Sequence, residues 1–174
     1  MQGCRRRRRP LQPAAMRAIA NAPRPVAERR LALPDEAATA ALARRIASLA
    51  RPGDIIALTG DLGSGKTFFA RAFIGEAEVP SPTFTLVQIY ERPVGRIWHF
   101  DLYRLKQASE AIELDIEDAF AEGISLIEWP ERLGSLLPAE RLDVALDFAA
   151  EPQARVATLT GRGRWAGLLD EVAT

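Results

Sequence analysis

An α/β fold built on a mixed sheet is predicted by three observations. First, the apolar run "DIIALTG" (54–60) passes through a glycine-rich loop directly into the helical spacing of "KTFFARAFIGEA" (66–77). Second, "TLVQIY" and "RIWHFDLY" read as two strands joined by the turn "ERPVG". Third, "RLDVALDF" and "ARVATLTG" form a second expected hairpin near the C-terminus. Hairpin strands run antiparallel, so a sheet containing both hairpins and a strand–loop–helix unit cannot be wholly parallel.

Taken in order, residues 1–30 are rich in Arg, Pro and Ala and show no apolar alternation. Such a segment cannot offset its ordering entropy by burial, so it reads as a disordered extension preceding a domain at 31–174. An RNA-touching arm, a transit peptide, a solvated tail, or a start placed upstream of Met16 are all compatible with it. "LPDEAATAALARRIASLA" opens on a Pro-Asp pair suited to a helix N-terminus and ends at the turn "RPGD". "VPSPTF" is a loop restrained by Pro80 and Pro82, and "ASEAIELDIEDAFAEG" reads as one or two acidic helices capped by its serine. "ISLIEW" is a further buried strand.

Composition excludes several classes. Of the 174 residues 48% are hydrophobic, enough for a continuous core. No apolar run approaches the roughly 18 residues that cross a bilayer. Cys4 and His99 are each the sole residue of their type, which rules out an intrachain disulfide framework and a structural zinc site. The zero net charge is unevenly spread. Residues 1–30 carry nine arginines against Glu28, a balance of +8, leaving 14 bases against 22 acids, or −8, in the remainder. An acidic body argues against a fold that wraps nucleic acid.

The chemistry is carried by "GDLGSGKT". Gly60, Gly65, Lys66 and Thr67 complete G-x-x-x-x-G-K-[ST], enclosing Asp61, Leu62, Gly63 and Ser64. Small residues let the backbone curl so that successive amides face phosphate oxygens, and the following helix adds its positive end. Lys66 is one of two lysines among 23 basic residues. A compact ammonium fits between β and γ phosphates where a forked guanidinium would not. Thr67 would offer its hydroxyl to Mg²⁺, and Glu128, at the end of "ISLIEW", is the candidate carboxylate ligand. Asp101 ends "IWHFD" and could orient a nucleophilic water or hold a metal-bound one. His99, two residues earlier, should share its face, in a packed or a catalytic role. Ser81 and Thr83 flank Pro82 where a switch segment or a rigid turn would sit. The acids from Glu110 to Glu122 read as a solvated helical face or a dock for a basic partner, and Trp98, Trp129 and Trp165 as core or interface anchors.

No Asn/Thr-Lys-x-Asp element for guanine is available, since the one asparagine is Asn21 and Lys106 is followed by Gln107 and Ala108. ATP is therefore the expected nucleotide. Arg104, Arg132 and Arg141 are too scattered in sequence to mark a kinase acceptor pocket. An ATPase or ATP-driven switch fits best, beside a metabolite kinase and a non-hydrolysing nucleotide-binding adaptor.

"GDLGSGKTFFARAF", "SPTFTLVQIY", "HFDLYRL" and "LIEWPERL", in that order and spacing, resemble the TsaE (YjeE) family over residues 33–148. The resemblance implies a P-loop NTPase-like three-layer sandwich. It also implies a cytoplasmic Mg²⁺-dependent ATPase, weak alone, needed for threonylcarbamoyl modification of the adenosine next to the anticodon in tRNAs reading A-starting codons. Activity would depend on the TsaB and TsaD proteins, with tRNA engaged indirectly. By motif, Thr67 and Glu128 would be Mg²⁺ ligands, Asp101, with Lys66, a catalytic residue and "SPTF" a switch-like loop, with Glu36 of "LPDE" near the nucleotide. The arginine-rich extension departs from the family pattern.

Overall fold

Two of the expected strands are buried, one throughout and the other up to its last residue, Thr59, as central parallel strands require, and the architecture is built outward from them. A computed structural model describes residues 25–75 and 81–174. Along the chain lie β1 (Val26–Leu33), α1 (Glu36–Leu49), β2 (Ile55–Thr59), α2 (Lys66–Ile74), β3 (Val87–Arg92) and β4 (Gly95–Asp101). They are followed by α3 (Ile116–Glu122), β5 (Ile124–Glu128), β6 (Leu142–Phe148), β7 (Arg155–Arg162) and α4 (Leu169–Ala173). Short 3-10 segments occupy Ala108–Leu114, Pro130–Leu136 and Gly163–Gly167.

The sheet has seven strands in the order β1-β7-β6-β2-β5-β4-β3. Strands β6, β2, β5 and β4 run parallel at its centre. The two expected hairpins, β3–β4 and β6–β7, supply the antiparallel pairs, together with β1 against β7. Side chains alternate between the two faces. Ile56 and Leu58 of β2 pack with Leu42, Ile46, Phe69 and Phe73 of α1 and α2. Ile55 and Ile127 point the other way, into Trp98, Phe100, Ile116, Ala119 and Leu133. Helices on both faces of a mixed sheet make the three layers expected of this α/β fold.

Several boundaries differ from the sequence reading. Strand β1 starts at Val26, inside the stretch read as a tail, so the ordered domain begins before residue 31. Its residues are mostly exposed, and it is held as an edge strand by a ladder of backbone pairs with β7 from Val26↔Arg162 to Leu33↔Arg155. Ala27, Leu31 and Leu33 of this strand reach the core, an alternation too sparse to mark a strand in the sequence. Residues 1–24, Pro80 and the last two positions of the helix expected over 66–77 lie outside the described residues. The acidic segment splits at Asp115, which takes a left-handed φ of 56°. Its cap is Gln107, in a reciprocal capping box with Glu110, rather than Ser109. "TLVQIY" becomes strand only from Val87. The C-terminal residues close the core through Trp165, Leu169 and Val172.

Helix α1 begins at a built cap: Asp35 is extended, and its carboxylate accepts the Ala38 amide at 2.7 Å. Replacing Asp35 with Ala should cost about 1 kcal/mol of unfolding free energy. A urea midpoint that does not move would show that the cap contributes nothing.

Candidate functional site

Strands β2, β4 and β5 run in one direction, so their C-terminal ends open at the same edge of the sheet. Ligands of open α/β sheets bind at such an edge. The register sets Glu128 beside Leu58 on one side and beside Asp101 on the other. Strand alternation places His99, Asp101 and Glu128 on the same face as Ile97 and Leu126, the face covered by α2. Three residues distant in sequence thereby meet the helix that begins at Lys66.

The loop at 60–67 turns on glycines in the left-handed region, with φ of 135° at Gly60 and 107° at Gly65. A side chain on Gly60 would also run into the carbonyl oxygen of Leu146 on β6, so the loop is seated against the sheet. Inside the loop the Ser64 amide donates to Asp61 O at 3.1 Å. Leu62 stands 77% exposed at the rim, and Gly63 and Gly65 line the cleft. The Phe69 amide is the first to donate to a carbonyl one turn back, that of Gly65 at 2.8 Å. The amides of Lys66, Thr67 and Phe68 therefore open the helix without intrahelical partners, the arrangement that receives anions.

Lys66 is 5% exposed. Its Nζ donates to the carbonyls of Gly60 at 2.6 Å and Asp61 at 2.9 Å, and lies 4.1 Å from the centre of the Trp129 ring. Burial pushes its pKa below the ordinary lysine value of 10.5, against the pull of the Glu128, Glu131, Asp101 and Asp61 carboxylates.

Thr67 Oγ1 donates to Glu128 Oε2 at 3.0 Å, and Glu128 Oε1 meets His99 Nε2 at 2.8 Å. Both donor groups facing the cleft at this point are hard oxygens, the kind Mg²⁺ selects. An octahedral Mg²⁺ with bonds of 2.0–2.1 Å has adjacent ligand oxygens about 2.9 Å apart, close to the Thr67–Glu128 spacing. The pair fits a Mg²⁺ that takes its remaining ligands from water and phosphate. No group of three or more His, Cys, Asp or Glu placed to hold a metal ion occurs among the described residues, so an all-protein metal cage is not what this site offers.

Asp101, 5% exposed, accepts the Thr83 hydroxyl at 2.7 Å and the Tyr103 amide at 3.1 Å. Ser81 and Thr83 share a 2.5 Å hydrogen bond, which ties the loop after α2 to Asp101. Next to it, Phe84 projects 85% exposed.

The structure brings the loop, Lys66, Thr67, Asp101 and Glu128 into one cleft. Glu36 is not in it. It is the exposed first residue of α1, and no hydrogen bond among the described residues joins it to the loop. Trp98 and Trp165 are core residues, whereas Trp129 belongs to the cleft. The acids at 113, 115, 117, 118 and 122 are exposed, as a solvated face would be. Of the three scattered arginines, Arg104 stacks on Phe84 and Arg141 is paired with Asp143.

Two side chains at the site were not legible. Trp129 follows a buried strand and suggests core, but its left-handed φ of 60° turns the ring over Lys66. Arg155, at the start of β7, donates to Ser64 O at 2.8 Å and stacks on Phe148, propping the loop from behind. Its only sequence signal is an arginine at a strand start, which carries no specificity.

Comparison with known proteins places this cleft in a family. Residues 33–156, which include every residue of the cleft, match the family model described as threonylcarbamoyl adenosine biosynthesis protein TsaE. The protein named tRNA threonylcarbamoyladenosine biosynthesis protein TsaE in Rickettsia bellii is 44% identical over 119 residues, covering 66% of this chain and 83% of that one. Its namesake in Bacillus subtilis is 35% identical over 139 residues, covering 78% and 87%. The crystal structure of Bacillus subtilis YdiB superposes with a TM-score of 0.69 at 30% identity, covering 84% of this chain and 95% of that chain. On the strength of the family match and these relatives, the chain belongs to the TsaE family.

Proposed function

We propose that this chain binds ATP with Mg²⁺ and hydrolyses it in the biosynthesis of threonylcarbamoyladenosine in tRNA, in the cytoplasm, acting with a TsaB–TsaD pair. The observation that carries the reading is the convergence of a glycine loop, a buried ammonium and the Thr67–Glu128 oxygen pair in one cleft. Nothing in that combination serves packing, since a buried lysine and a buried carboxylate both cost free energy that an apolar core would not.

In this reading the amides at the start of α2 and the Lys66 ammonium bind the phosphate chain. Thr67 and Glu128 hold Mg²⁺, which when bound draws charge from phosphate oxygens. Asp101 lies one strand further along the same edge, where its carboxylate can accept a proton from water or orient it. Thr83 occupies one of its oxygens and the Tyr103 amide the other, so a shift of the 81–84 loop would change what Asp101 can reach. Docking of a partner onto that loop is the proposed means of activation. No helix among the described residues is long and apolar enough to cross a membrane.

Lys66→Ala should weaken ATP binding on the order of 100-fold, because hydrogen bonds to charged groups contribute ~1.5–3 kcal/mol each. Glu128→Ala should lower Mg²⁺-dependent turnover while leaving nucleotide affinity in EDTA close to wild type. Normal hydrolysis by both variants with the partners present would overturn the assignment.

The lowered pKa of Lys66 gives a second readout. Phosphate beside the amine favours its charged form and raises the pKa on binding, so ATP binding should take up protons in the alkaline range. Calorimetry in buffers of differing ionisation enthalpy measures the uptake, and Lys66→Ala should remove it.

Phosphate release from ATP should be slow for the chain alone and rise when TsaB and TsaD are added with tRNA. ADP formed in proportion to a phosphorylated metabolite, without free phosphate, would indicate a kinase, and ATP left intact with the partners present would indicate an adaptor.

A further inference from the structure

The chain has one histidine, and the proposed chemistry gives it no step. His99 sits mid-strand on β4 between Gln88 and Leu126, with its side chain wholly buried. Nε2 lies 2.8 Å from Glu128 Oε1. Nδ1 is buried and has no hydrogen-bond partner among the described residues.

That asymmetry identifies which nitrogen carries the proton. A proton on Nδ1 would leave an N–H buried with nothing to accept it, and would turn the Nε2 lone pair toward the lone pairs of a carboxylate. With the proton on Nε2, the ring donates to Glu128 and only an acceptor lone pair is left without a partner, the milder of the two defects.

The consequence falls on Glu128. Its two oxygens are divided between different partners, Oε1 to the ring and Oε2 to Thr67. Carboxylate ligands of metals are commonly held in orientation by such outer hydrogen bonds. The ring itself is locked by the sheet, because a buried residue in the middle of a paired strand has little rotameric freedom.

We propose that His99 is a positioning residue: its Nε2–H fixes Oε1 of Glu128, so that Oε2 is the single oxygen presented beside Thr67 to a divalent cation. This rests on the metal reading of the preceding section. A role in packing alone would be served by any side chain of similar volume. A positioning role needs an N–H at one place.

The test uses the full chain with ADP and Mn²⁺ as the paramagnetic probe, the bound metal being counted by electron paramagnetic resonance. His99→Leu keeps volume and removes the donor, whereas His99→Gln places an amide N–H₂ near the position of Nε2. His99→Leu should weaken Mn²⁺ binding about 10- to 100-fold, with ADP affinity in EDTA unchanged, and His99→Gln should restore most of the loss. Thermal unfolding of each variant establishes that it is folded. Wild-type Mn²⁺ affinity in His99→Leu would overturn the proposal. So would equal losses in both variants accompanied by lost ADP affinity in EDTA, which is the signature of packing. Glu128→Gln separates the two levels: if it binds Mn²⁺ as wild type does, the metal reading is wrong and the positioning role falls with it. If Glu128→Gln loses the metal and His99→Leu does not, only the positioning role fails.

Discussion

A carboxylate at 2% exposure is the constraint around which the cleft is arranged. Glu128 cannot be buried alone, since stripping water from an ionised carboxylate costs far more than local packing returns. It is compensated on one oxygen by a ring that the sheet holds rigid, on the other by a threonine hydroxyl from the first turn of α2. The Lys66 ammonium adds a favourable field nearby, and the carboxylates around Lys66 in turn offset part of its own desolvation. The groups are interdependent: removing one leaves another buried without a partner. In the proposed function the same charges would serve a ligand that is itself strongly charged.

The parallel core makes that arrangement possible. Were β4 or β5 reversed, its C-terminal residue would emerge at the far edge of the sheet, away from the loop. Asp101 and Glu128 are adjacent because β4 and β5 run parallel in a register that pairs them. The antiparallel additions at the two margins have a different task. β7 carries Arg155 to the back of the loop, where it donates to Ser64 O, and β6 sets a carbonyl against Gly60. The loop is supported from β6 and β7 and loaded from β4 and β5. β1, at the margin beyond β7, covers an edge that would otherwise be open for pairing.

The described part of the segment between α2 and β3 is joined to Asp101 by a short chain of hydroxyls, Ser81 to Thr83 to Asp101, and by the Asp101 amide, which donates to Leu86 O at 3.0 Å. Hydrogen bonds of this kind are modest in net free energy and can be exchanged for others of similar strength. Phe84, beside them, exposes most of its ring with Arg104 over it. A large apolar side chain next to exchangeable polar contacts gives the loop a handle that an external surface could grip without unfolding the core.

How much of this was legible follows from the range over which each signal acts. The glycine loop, Lys66 and Thr67 are local: they lie within eight residues, and their chemistry requires that spacing whatever surrounds them. Glu128 and Asp101 could be named because each is an acid at the end of an apolar run, which is again a local pattern. Strands and helices with a buried stripe were readable for the same reason. What the tertiary structure alone decided is pairing. β1 is placed by backbone pairing with β7, more than a hundred residues away, and its hydropathy signature is no more than Ala27, Leu31 and Leu33. Trp129 faces Lys66 because one residue takes a left-handed turn, and Arg155 reaches the loop because two strands of a hairpin end beside it. His99 shares a face with Asp101 by strand alternation, but its bond to Glu128 depends on the register of β4 against β5. Residue type and spacing carry chemistry along the chain. Contact between distant segments is fixed by packing and backbone pairing, which leave little trace in either segment taken by itself.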